Sequence, residues 1–261
     1  MTGFLDGKTA IIYGGGGSLG GAVASTFARD GANVFLVGRT RATLDDAATA
    51  ITDAGGSASV AVFDATDEAA VDEHVRHVVA ATGSLDISLN LISRGDLQGT
   101  PLVDMTTEQM LRAINIGLSS NFITARAAAR QMATQGSGVV LHLNSASGDA
   151  AQPGMGSTGP TDAAIESFMR YLAAEVGPSG VRVCGIWTAG VAETLTDEKI
   201  AAVAPGGPTA EQALQAIAAM AALRRTPRLA NVAEVAAFLA SDRAAGMTGS
   251  MANVTCGLVL R

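Results

Sequence analysis

The chain has 261 residues, 48% hydrophobic and 16% charged, with a formal net charge of −7 at pH 7. That length suits one large α/β domain or two small ones, with ample apolar material for a core. The acidic balance argues against a nucleic-acid or acidic-membrane surface, although it also reads as a plain solubility feature.

Cys184 and Cys256 lack metal-ligand spacing, and His74, His77 and His142 add no metal motif. A reducing cytoplasm is the simplest location on cysteine usage. The first residues lack a basic region followed by a long apolar core, so no signal peptide is expected. No apolar run has the length of a membrane span.

Short apolar runs alternate with longer helical stretches, the pattern of a parallel sheet wrapped by helices. Strands are expected over 9–13, 34–37, 59–63, 87–91, 139–143 and 181–186. Helices are expected over 19–30, 41–54, 67–82, 107–134 and 158–177. No long linker or repeat intervenes, so one domain, 1–261, is expected.

Gly14, Gly15, Gly16, Gly17, Ser18, Leu19, Gly20 and Gly21 lead from the first strand into the first helix. Glycines let the backbone turn sharply and approach a pyrophosphate, and the helix N-terminus offers N–H groups and a favourable dipole. A glycine run alone could be a flexible turn; between a strand and a helix it reads as a nucleotide site. After the second strand, where an NAD-preferring fold carries an acidic residue, the chain has Gly38 and then Arg39. A guanidinium suits a 2′-phosphate, so NADP is favoured over NAD. The alternative is a solvated arginine at a strand end.

Further along, Ser145 follows the fifth strand, Thr158 lies 13 residues later, and Asp162 four residues after that. Together with the glycine loop and the C-terminal run Arg225–Leu229, Glu234–Asp242 and Met247–Gly249, this resembles the short-chain dehydrogenase/reductase family over almost the full length. The resemblance implies a Rossmann-type doubly wound parallel sheet of about seven strands. It also implies a substrate-lid region at about 190–225 and a homotetramer or homodimer. The family's catalytic serine fits Ser145, but its tyrosine and lysine fall on Thr158 and Asp162. In the family the tyrosine moves the proton, and the lysine lowers its pKa and holds the ribose. A free tyrosine has a pKa of ~10, which explains the need for a cation. Neither of the two tyrosines, Tyr13 and Tyr171, nor the two lysines, Lys8 and Lys199, is expected to fill in.

Residue by residue, the resemblance assigns Asp64 and Ala65 to the adenine and Asn90 to the cofactor side of the fourth strand. Ile92 and Ser93 replace small residues there, so crowding is expected. Val191 and Thr194 fall where the carboxamide and pyrophosphate bind. Asn115 matches an asparagine that interrupts the long fourth helix and whose main chain holds a water of the proton relay; an Asn inside an apolar helix can equally have a local structural role. An aspartate at a strand end can also cap the next helix, so Asp64 keeps that second reading. His142 reads as a buried, hydrogen-bonded strand residue.

The resulting expectation is an NADPH-preferring oxidoreductase acting on a small, apolar carbonyl or alcohol substrate with an atypical proton donor. A carboxyl in a closed apolar pocket can act as an acid near neutrality, so Asp162 aided by Ser145 is the candidate. Two alternatives stand beside it: a catalytically inactive nucleotide-binding or scaffold homologue, and a non-redox enzyme moving protons on the same fold.

Overall fold

The computed structural model describes residues 3–260. Seven strands form a single sheet: β1 (Thr9–Tyr13), β2 (Asn33–Gly38), β3 (Ser57–Val62), β4 (Ile87–Asn90), β5 (Gly138–Asn144), β6 (Val181–Thr188) and β7 (Ser250–Val254). They lie in the order β3-β2-β1-β4-β5-β6-β7, and every adjacent pair is parallel. The chain starts in the middle, winds outward through β2 and β3, then crosses back to β4. That reversal opens a crevice above the carboxyl ends of β1 and β4, where this architecture takes ligands.

Among the described residues, eight α-helices connect the strands: α1 (Ser18–Arg29), α2 (Arg41–Asp53), α3 (Glu68–Thr82), α4 (Thr107–Gln135), α5 (Thr158–Val176), α6 (Asp197–Val203), α7 (Ala210–Met220) and α8 (Leu229–Ala240). The two faces of β1 show why the sheet is covered twice. Ala10 and Ile12 pack with Val23 and Phe27 of α1, Leu44 of α2 and Val232 of α8. Ile11 and Tyr13 pack with Val71 and Val75 of α3, Ile123 of α4 and Ile165 of α5. A strand apolar on both sides can be satisfied only in this sandwich, and each buried Val, Leu, Ile or Phe contributes ~1.5–3 kcal/mol.

Local chemistry sets the helix starts. Thr106 and Gln109 form a reciprocal capping box at α4. Asp67, not Asp64, caps α3 by accepting the Ala70 N–H at 3.1 Å, so Asp64 is released from its second reading. The region after β6 is not a loose loop: it folds as α6 and α7. Ile217 of α7 packs over Gly190, whose φ of 62° and absent Cβ admit it.

His142 departs from expectation in one respect. It is buried in β5, but neither ring nitrogen meets a partner of normal hydrogen-bond geometry. Its ring sits above Gly185 of β6, the residue opposite it in register. Burial pushes its pKa down to about 4.

Candidate active site

The glycine loop shapes one end of a cleft of about 620 Å³ across the carboxyl ends of β3, β2, β1 and β4. The Gly14 and Gly15 N–H groups both donate to the Val37 carbonyl, at 2.8 and 3.1 Å, which turns the chain tightly out of β1. Gly14 has φ 83°, and a Cβ on Gly20 would collide with the Gly14 carbonyl. The close approach of loop and helix therefore requires glycine at both positions. Gly17 is the N-cap of α1 and supplies no side-chain cap. The first N–H groups of a 12-residue helix then face the cleft region without an internal acceptor side chain, a setting that favours an anion.

Arg39, Asp64 and Ala65 line the same cleft, at the β2–β3 side. The Arg39 Nη1 lies 3.7 Å from Asp64, and both side chains are largely exposed. Asp64 accepts from the Thr66 N–H and hydroxyl, which with nearby Arg39 holds its pKa below the usual carboxylate value. Leu91, Ile92, Ser93 and Arg94 line the opposite side, above β4. Asn90 lies beneath them instead. It is buried, donating to Thr124 Oγ1 at 3.1 Å and accepting the Ile92 N–H at 3.1 Å. Val191 is buried in the core, and the Thr194 hydroxyl donates to its carbonyl at 2.9 Å. Ser18 stands at the first turn of α1, where Lys199 of α6 approaches its hydroxyl at 3.5 Å.

Arg94, on the cleft wall, also belongs to a buried polar network. Ser145, at the end of β5, donates its hydroxyl to Asp162 Oδ2 at 2.5 Å. Arg94 Nη1 donates to Asp162 Oδ1 at 2.6 Å, and Arg94 Nε and Nη2 bond Asp96 at 3.3 and 3.0 Å. Asp162 is 0% exposed. Burial is the largest influence on it and raises its pKa to about 6, against the lowering effects of Arg94 and Ser145. The pocket around Asp162 is thus ionic rather than purely apolar.

Thr158 and Asp162 are one turn apart and both buried, so they share the inward face of α5. Thr158 is covered by Gln98, whose side-chain amide donates to the Thr158 hydroxyl at 3.1 Å. Gln98 belongs to a strap, residues 94–99, fastened at several points. The Leu97 N–H donates to Ser157 Oγ, the Ser157 N–H to the Leu97 carbonyl, and the Gln98 N–H to the Val203 carbonyl of α6. Asn115 is not part of this assembly. It lies exposed on an unbroken α4, and the α4 residue facing the network is Gly117, two positions on.

Sequence reasoning missed Arg94 and Gln98. The signal present was a charged residue immediately after the segment 90–93 that had already been singled out. An apolar cavity of about 630 Å³, lined by Leu102, Val103, Met155, Pro160 and Ser147, lies between the 99–103 loop and the start of α5. None of its lining residues comes from α6 or α7, in the region 190–225 expected to form the substrate lid.

A doubly wound parallel sheet with a glycine-rich turn at its crevice places the molecule in the Rossmann-type class. Residues 15–259 match the family model described as enoyl-(acyl carrier protein) reductase. Oxidoreductase asL5 of Sarocladium schorii is 32% identical over 254 residues, 97% of this chain and 96% of its own. Among solved structures, NAD+-bound xylitol dehydrogenase superposes with TM-score 0.86 at 25% identity, covering 97% of this chain and 99% of the other. A 7α-hydroxysteroid dehydrogenase complexed with NADH and 7-oxo glycochenodeoxycholic acid superposes with TM-score 0.83 at 28% identity, covering 97% and 94%. The chain belongs to the short-chain dehydrogenase/reductase family, whose members bind NAD(P) and are oxidoreductases.

Proposed function

We propose that the protein is an NADP-preferring oxidoreductase interconverting a small carbonyl compound and its alcohol, with Ser145 and Asp162 exchanging the proton in place of the family's tyrosine and lysine. The observation that carries this reading is the 2.5 Å Ser145–Asp162 bond, joined through Arg94 to a cleft that also holds Arg39.

The residues present fit a dinucleotide. Gly14 and Gly20 keep the loop close enough for a pyrophosphate at the start of α1. Arg39 can accept a 2′-phosphate, and Asp64 beside it can meet the adenine. A dinucleotide held in this way would extend along the cleft toward β4, where Arg94 stands, and the strand order supports that direction. When bound, the nicotinamide gives or takes a hydride. The protein's own part is to hold the substrate oxygen at Ser145 Oγ and to exchange a proton with Asp162 behind it. The apolar cavity bounded by Leu102, Val103 and Met155, with Ser147 on its wall, suits a hydrophobic substrate. Free Cys184 and Cys256 accord with a cytoplasmic location.

One observation favours a second reading, a catalytically inactive nucleotide-binding protein: Thr158 is covered by Gln98, and Asp162 is closed off by Arg94 and Ser145. A non-redox reaction through Ser145 and Asp162 is the third.

Fluorescence titration with NADPH and NADH, followed by a ketone and alcohol panel, separates these. The expected result is tighter NADPH binding, turnover by the wild type, and a loss of at least 10²-fold in kcat for Asp162→Asn with NADPH affinity retained. Binding without any nicotinamide turnover supports the second reading. Product without nicotinamide change supports the third.

A further inference from the structure

We propose that Arg94 is a positioning residue that keeps Asp162 ionised and thereby makes Ser145–Asp162 a proton acceptor, suited to removing the proton of a bound alcohol at neutral pH. This rests on the function proposed above.

Four elements build the arrangement. Arg94 leaves the loop after β4 and is clamped at its Nε and Nη2 by Asp96. Its Nη1 reaches Asp162 on α5 at 2.6 Å. Its stem crosses α4 at Gly117, where a Cβ would stand 2.6 Å from Arg94 Cδ and 3.0 Å from the Thr161 methyl. Ser145 at the end of β5 closes the other side of the carboxylate. The stem thus runs through a slot that exists because residue 117 has no side chain.

Hydrogen direction gives the site its polarity. Arg94 has no acceptor atom, so Asp162 Oδ1 must receive. Asp162 Oδ2, 2.5 Å from Ser145 Oγ, receives the single serine proton in the ionised state. Ser145 Oγ then has only lone pairs to offer: one receives the Ser147 N–H at 3.3 Å and the other is left for a ligand. A ligand meeting the half-buried Ser145 finds an acceptor, which matches an alcohol hydroxyl rather than a ketone oxygen.

The other charges around Asp162 do not supply the cation. Asp96, on the same strap, is anionic. Glu166, one turn along α5, is taken by the Trp187 indole N–H at 2.8 Å and by Asn144, with Arg170 3.9 Å beyond it. Asp149, after β5, adds a further negative charge near Glu166. From α4, Gly117 contributes none, and Arg112 lies against Gly95. Arg94 is therefore the cation bonded to Asp162.

The step balances as follows. The substrate O–H proton passes to Ser145 Oγ as the Ser145 proton passes to Asp162 Oδ2. The carbinol C–H bond breaks, its electron pair leaves as hydride to an oxidised nicotinamide dinucleotide, and a C=O bond forms. Asp162, now neutral and itself out of reach of solvent, returns its proton through Ser145 Oγ once the product has left.

The test is a pH titration of the aspartate side-chain carboxyls by ¹³C NMR on the full chain, with Asp162→Asn identifying the resonance. NADP⁺ titration of each variant runs in parallel. The wild-type midpoint is expected near 6. Arg94→Met should raise it by at least one unit, and Arg94→Lys should restore most of the difference. Gly117→Ala, which displaces the guanidinium without removing it, should raise it too, and carries the comparison if Arg94→Met does not fold. NADP⁺ affinity is compared between the wild type and Gly117→Ala, where it should stay within about threefold, because Arg94 itself lines the cleft and Gly117 does not. A wild-type midpoint above 8, or a midpoint that moves by less than 0.3 unit in the displaced variants, overturns the proposal. Failure of the wild type to bind NADP⁺ while Asp162 titrates as expected sinks the proposed function instead, and leaves the ionisation claim standing.

Discussion

On the function proposed above, cofactor choice turns on Arg39. It is exposed beside Asp64, so its guanidinium can leave that weak pairing for a phosphate with little desolvation cost. Arg39→Glu should weaken NADPH binding by at least tenfold and leave NADH unchanged or improved, read by nucleotide fluorescence; equal losses for both would remove Arg39 from 2′-phosphate recognition. Arg39 was legible because its position is set by strand counting alone. Arg94 was not, because its importance comes from what lies opposite. Its partner Asp162 is 68 residues away, and no periodicity links a loop after β4 to a turn of α5. The side chain of Asn115 shows the complementary limit. A short motif fixes a residue to within a turn or so, yet two residues along a helix rotate a side chain by roughly 200°. Asn115 therefore faces outward where Gly117 faces in.

At the scale of elements, β5 carries the strongest prediction. His142 is buried, and its pKa is lowered from 6.5 to about 4 by desolvation. His74, buried between Phe63 and His77, is lowered to about 4 for the same first reason. A folded-state pKa below the unfolded one means that the unfolded chain binds more protons between about pH 4 and 6.5. Stability is complete above that window and falls as pH drops through it, by up to ~3 kcal/mol per histidine. Asp162 works the other way. Its raised pKa gives the folded state the extra proton between about 3.8 and 6, which partly offsets the loss. His142→Leu should flatten the Tm profile between pH 6.5 and 4; an unaltered slope would mean that His142 does not titrate there. The strands and helices around β5 were readable because each is a long apolar or amphipathic run. The strap at 94–99 was not. It has no periodic pattern, and its shape comes from bonds to Ser157 and Val203, far off in sequence.

Across the whole molecule, the outer faces of α4 and α5 bear an uncovered apolar patch. Tyr171 is 72% and Phe122 44% exposed, and Phe122 meets Phe168 edge to face. A patch of this kind on a folded surface marks an association site. A homotetramer or homodimer using it is the proposed assembly. Light scattering after size-exclusion chromatography should show such an oligomer, and Tyr171→Glu should shift it toward smaller species; a wild-type monomer at micromolar concentration removes the idea. No helix among the described residues is long and apolar enough to cross a membrane.

The Arg94–Asp162 pair also constrains how this lineage can change. Asp162→Lys alone would set a second buried cation against the guanidinium, and Arg94→Ala alone would strand a carboxylate with no counter-charge. Each single step is costly although the paired state is tolerated. Placing a lysine at 162 would have to pass through a damaged intermediate or change both positions together. The loop after β4 and the first turns of α5 are thus epistatically bound, and the present pair is easier to keep than to exchange.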